Sequence, residues 1–105
     1  MRLSVQNFKH WLLKHEASDC VGATRSPGRC PIATYLSDRT GQSWRVGHDS
    51  YLQLLPGGVA GPRRELPDKL ARFVYSLDRL HGLSPETVTA AQALAVLLWH
   101  PRREE

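Results

Sequence analysis

Cys30 stands directly before Pro31 in the run Cys30-Pro31-Ile32-Ala33, where a first-turn proline marks a helix start. A thiol at that position feels the positive end of the helix dipole, which lowers its pKa and favours the nucleophilic thiolate. With a histidine brought from elsewhere in the chain, this would be the core of a Cys-dependent enzyme. The opposing reading is packing: cysteine is among the most often buried residue types, and a small apolar group beneath Tyr35 and Leu36 explains it without chemistry. The sequence favours packing, because nothing else around Cys30 has the spacing of a catalytic set.

The other groups that carry chemistry are dispersed. His10, His15, His48, His81 and His100 fall on four different segments, and none forms the helical His-Glu-x-x-His arrangement of a zinc peptidase. Cys20, Cys30, His15 and His48 do not match the paired-ligand spacing of zinc sites, so no metal is expected. The carboxylates are too scattered for an acid/base pair. Gly57-Gly58-Val59-Ala60-Gly61 has neither the Gly-Lys-Ser/Thr ending of a phosphate loop nor the glycine register of a dinucleotide fold, and no cofactor is expected.

Arginine is the residue type left over. The chain carries 14 basic and 10 acidic side chains, a formal net charge of +4. Up to residue 64 the balance is nine basic to four acidic, and beyond it five to six, so the basic character belongs to the first part. Arg25, Arg29, Arg39, Arg45, Arg63 and Arg64 form the candidate binding surface, interleaved with Tyr35 and Trp44, and Arg102-Arg103 add a further pair. Guanidinium forks suit carboxylate and phosphate alike, and aromatics could stack on bases. Yet no helix-turn-helix, ribonucleoprotein or zinc-finger signature accompanies them, and Tyr35 and Trp44 read equally well as core anchors.

The elements that must hold these residues are legible from periodicity. Ser4 is placed to cap a helix over about 5–15, with Val5, Phe8, Trp11, Leu12 and His15 on one face. Residues 16–29 read as a loop, with a short extended piece at 21–24 and a turn at Ser26-Pro27-Gly28. A second helix is expected over about 31–39, ending before Gly41. The alternation in Ser43-Trp44-Arg45-Val46 and the strand formers from Tyr51 to Leu55 predict a β-hairpin about residues 47–50. Pro56 to Arg64 reads as a flexible connection. Leu66, Leu70, Phe73, Val74, Leu77 and Leu80 mark a third helix over about 67–81, closed by Gly82.

Thr89 and Gln92 have capping-box spacing, and the helix they open is apolar on nearly every side through Trp99. Such a helix is expected to be buried on nearly every side, either in the core or in an oligomer interface, with the core favoured in so small a chain. The assembly is an α+β fold: one domain over 1–105, with about four helices packed around a small antiparallel hairpin or three-stranded sheet. A third strand would come from 21–24 or from 86–88.

The run Cys30-Pro31-Ile32-Ala33-Thr34-Tyr35-Leu36, with Trp11-Leu12, Val21-Gly22, Leu66-Pro67, Phe73-Val74, Asp78, Val88-Thr89-Ala90 and Ala93-Leu94, resembles short bacterial and phage-borne proteins of uncharacterised function. The similarity covers most of the chain, but its motifs are a proline start, helix stripes and a cap. It implies a compact stand-alone domain and carries no functional residue across.

The longest apolar run, Ala93 to Trp99, is far short of the roughly 18–20 residues a membrane span requires. The amphipathic N-terminal stretch, with Lys9, His10 and Lys14, is unlike a secretory signal, so the compartment is read as cytoplasmic and both cysteines as reduced. The expected function is a non-enzymatic interaction or regulatory module, of the kind mobile elements use as anti-defence accessories, that docks on an acidic protein surface through residues 20–64. The alternative is a small basic nucleic-acid-binding protein, and after it the Cys-dependent enzyme.

Overall fold

In the computed structural model, which describes residues 3–24, 28–80 and 87–98, three of the four helices begin on a side chain that accepts from the first turn. The elements in chain order are α1 (Val5–Lys14), β1 (Cys20–Ala23), α2 (Pro31–Thr40), β2 (Ser43–Val46), β3 (Ser50–Leu55), β4 (Val59–Ala60), β5 (Arg64–Glu65), α3 (Asp68–Leu80), β6 (Thr87–Thr89) and α4 (Ala90–Leu98). A 3-10 turn at Pro56–Gly58 joins β3 to β4.

Ser4 Oγ accepts from Asn7 N at 3.1 Å and starts α1. Cys30 Sγ accepts from Ala33 N at 3.5 Å at the head of α2, which ends on Gly41 in the left-handed conformation (φ 73°). The Thr89–Gln92 box closes in both directions, Gln92 N donating to Thr89 Oγ1 at 3.2 Å and Thr89 N to Gln92 Oε1 at 2.9 Å. The next N–H groups of α4 are satisfied by the turn after α1: Ala90 N donates to Asp19 O and Ala91 N to Ala17 O.

The strands form two antiparallel sheets. β2 and β3 are the expected hairpin, in the register Ser43↔Leu54 to Val46↔Tyr51. Of the two segments expected to extend it, Val21–Thr24 and 87–88 do not, and Glu86 lies outside the described residues; β1 pairs with β6 instead, with a bulge between Cys20 and Gly22. The extra strand is supplied by the stretch expected to be a flexible connection. β4 pairs with Leu54 and Leu55, β5 pairs with Ser50 and Tyr51, and Gly61 N donates to Gln53 O between them. Residues 59–66 therefore run back along β3 as an interrupted strand. The interruption falls at Gly61-Pro62, where a Cβ on Gly61 would stand 2.9 Å from Gln53 O and proline has no N–H to give.

One continuous core joins the elements. At its centre Phe8 meets Tyr35 and Phe73 edge-on, with ring centroids 5.6 and 5.3 Å apart, and Trp11 meets Tyr35 at 5.5 Å. Leu66, Leu70, Phe73, Val74 and Leu77 turn the α3 stripe into this core as the spacing predicts. α4 departs from expectation. Ala90, Ala93 and Leu97 are buried, but Ala91, Gln92 and Ala95 are exposed and Leu98 is 46% exposed. Alanine is small enough to leave a solvent face only weakly apolar, so a helix of this composition can lie at the rim of the core. Gly82 and Trp99 lie outside the described residues. No described helix is long and apolar enough to cross a membrane.

Candidate binding surface

The Cys30 thiol sits as the packing reading of the sequence has it. It is buried at the head of α2, and the N–H groups of Ala33 and Ile32 do lower its pKa. Loss of solvent outweighs them, helped by the carboxylate of Asp78, and the thiol is pushed up to about 11. It is therefore protonated at neutral pH, burial outweighing the helix-start effect that would favour a thiolate. Among the described residues no histidine is hydrogen-bonded to it.

The remaining metal and nucleophile candidates are held apart. His15 Nδ1 lies 3.6 Å from Asp19 and its ring stands edge-on to Trp11. His48 Nε2 lies 3.1 Å from Asp78 Oδ2, tying the turn between β2 and β3 to α3, with Tyr75 edge-on to the imidazole and Arg79 over the Tyr75 ring. Cys20 is an exposed free thiol. No cluster of three or more His, Cys, Asp or Glu side chains suited to a metal occurs among the described residues.

The arginines are exposed but do not share one face. Arg25 lies outside the described residues, as do Arg102 and Arg103. The backbone next to Arg29 approaches that next to Arg45, a Cβ on Gly28 standing 4.0 Å from the Trp44 carbonyl oxygen. Arg45 is paired with Leu52 and Arg64 with the next residue of β3, Tyr51, so the two project from opposite faces of the sheet. Arg63 lines a separate depression with Asp49, Glu65 and Asp68, where acidic groups outnumber it. Tyr35 and Trp44 are core residues, 0% and 6% exposed, and offer no stacking platform.

Among the described residues, Arg39 of the expected set lines a groove with a second cation, Lys14. The groove runs between α1 and the last turn of α2, encloses about 460 Å³, and is lined by Asn7, His10, Trp11, Leu13, Lys14, Asp38 and Arg39. Lys14 and Arg39 each stand in the last turn of a helix, where the dipole favours a cation. Asp38 Oδ2 accepts from Trp11 Nε1 at 2.8 Å, so the one carboxylate of the groove is turned to the indole at its floor. Neither Lys14 nor Arg39 forms an ion pair: the ion pairs among the described residues are the two His–Asp contacts above. The Arg39 guanidinium lies 6.0 Å from the centre of the Tyr35 ring. Leu13 is 57% exposed and forms an apolar wall.

Sequence reasoning placed Arg39 and missed its neighbours. The available signal was on α1, where Asn7, His10, Trp11 and Lys14 follow the spacing of one helical stripe. No protein-family model, curated protein or solved structure matches the chain.

Proposed function

We propose that this chain is a small non-enzymatic interaction module that docks on an acidic protein surface. One observation carries the reading: Lys14 and Arg39 flank a groove without an ion-pair partner, while its single carboxylate is held by Trp11. Cations left unpaired at the rim of a concave surface favour an anionic partner by speeding encounter and fixing register, more than by raw affinity. Arg29, exposed just before the head of α2, and Arg45, exposed on β2, add to the positive charge of the surface.

Nucleic acid is supported less well. Binding a phosphate backbone takes several cations along one track, and base stacking takes exposed rings. Here Arg45 and Arg64 face opposite ways, Arg63 lies among carboxylates, and Tyr35 and Trp44 are buried.

The test is affinity capture at about 150 mM salt, where only charges within about 8 Å act strongly. Nuclease-treated extract is passed over wild-type protein and over a bait with Lys14→Glu, Arg29→Glu, Arg39→Glu and Arg45→Glu. Acidic proteins retained by the first bait and lost by the second are expected. Equal retention on both baits, or none, overturns the reading, and retention of nucleic acid in untreated extract points to the alternative.

A further inference from the structure

We infer that the docking site is the α1–α2 groove itself, and that it takes a short extended segment carrying both acidic and aliphatic side chains. The inference rests on the acidic-partner reading and gives it a locus and a ligand chemistry.

Three features fix that chemistry. The two fixed cations, Lys14 and Arg39, come from different helices and line one concavity, so a carboxylate between them is met from two sides. Leu13 presents an aliphatic wall in the same groove and is 57% exposed, far more than a side chain serving only the core. Asn7 supplies a side-chain amide, both donor and acceptor, of the kind that meets an extended backbone. From Asn7 to Lys14 is seven helical steps, or about 10 Å, which is the reach of roughly three extended residues. Leu13 and Lys14 are neighbours on α1 and Arg39 stands on α2, so a carboxylate between the two cations and an aliphatic side chain against Leu13 are what such a groove reads.

The competing occupants fit less closely. A nucleic-acid backbone would leave Leu13 facing phosphate. A second copy of a chain with net charge +4 brings no excess of acidic groups to the cations.

The probe is a capped, fluorescein-labelled peptide of alternating glutamate and leucine, compared with an all-glutamate peptide, by fluorescence anisotropy at about 50 and 150 mM salt. The variants change exposed residues only, and circular dichroism checks each fold. Lys14→Ala with Arg39→Ala is expected to weaken binding about tenfold, the loss of two screened charge contacts. Leu13→Ser is expected to weaken it about threefold and to bring the alternating peptide down to the all-glutamate one. Arg29→Ala with Arg45→Ala is expected to change it less than about twofold.

Unchanged binding in the Lys14/Arg39 variant overturns the inference. If the Arg29/Arg45 variant loses binding instead, the groove is wrong and the acidic-partner reading stands. If neither peptide binds but captured acidic proteins still depend on the four cations, the ligand chemistry is wrong and the function reading again stands. If neither peptide binds and capture fails too, both fall. Self-association that requires Lys14 and Arg39, or a duplex oligonucleotide displacing the peptide, assigns the groove to another occupant and overturns the inference.

Discussion

Gly22→Ala should be the most damaging alanine substitution among the described glycines. Gly22 has φ 152°, a conformation that residues with a side chain rarely adopt. A Cβ there would stand 2.5 Å from Arg29 O, 2.8 Å from Pro31 N and 2.9 Å from Cys30 C. All three are backbone atoms at the entry to α2, and Ala23 N, the next donor along β1, holds Arg29 O at 2.7 Å. Nothing in that set can swing aside as a flexible side chain would. The disfavoured backbone costs about 1–3 kcal/mol and forced overpacking about 1–3 kcal/mol more, so the sum centres near 4 kcal/mol. Gly41→Ala is the control: φ is 73° but no atom lies within 4 Å, leaving about 1 kcal/mol of backbone strain. The difference of about 3 kcal/mol corresponds to roughly 2–3 M in urea midpoint for a domain this size. Urea unfolding followed by tryptophan fluorescence and far-ultraviolet circular dichroism measures both. Equal midpoints for the two variants would refute the argument from close approach, because only Gly22 has anything to collide with.

Two further outcomes follow from buried polar groups. The Cys30 thiol moves from an ordinary 9.0 to about 11 in the fold, chiefly by desolvation. Below about pH 9 both folded and unfolded chains keep its proton; above it the unfolded chain loses the proton first, so stability falls toward pH 11 by about 2–3 kcal/mol. Cys30→Ser keeps an N-cap acceptor and should remove that part of the alkaline loss, and a wild-type minus variant difference that stays flat across this range would refute the burial argument. Tyr35 Oη is buried with no hydrogen-bond partner among the described residues, and burial raises its pKa. Tyr35→Phe should therefore stabilise the protein by about 1 kcal/mol in thermal unfolding; a loss of that size would show that the hydroxyl is bonded after all.

The helices were legible because their signals are local. Ser4, Cys30-Pro31 with Gly41, and the Thr89–Gln92 box each act within a turn of where they stand. The β2–β3 hairpin was legible for the same reason, since its register spans only the turn at 47–49. What escaped is non-local or too short to have a period. β1 and β6 find each other from opposite ends of the chain, and β4 and β5 are two residues each, broken by Gly61-Pro62. The α4 helix was expected to be enclosed because its residues are apolar, yet exposed Ala91 and Ala95 add little apolar surface and need no cover.

The candidate site was the least legible part, and the reason lies in how charge was counted. A balance of +5 over the first 64 residues suggests a patch, but a β-sheet sends neighbouring register positions to opposite faces, and Arg45 and Arg64 part company there. Lys14 and Arg39 meet instead where α1 and α2 pack side by side. Trp11 belongs to the contact that joins α1 to α2 through Tyr35, and its indole N–H reaches past that contact to hold Asp38. The same side chain thus packs between the two helices and holds one oxygen of the local carboxylate, which makes no ion pair with Lys14 or Arg39. A tryptophan on an amphipathic stripe reads from sequence as packing alone. Its polar edge becomes informative only once the residue it meets, 27 positions away, is known.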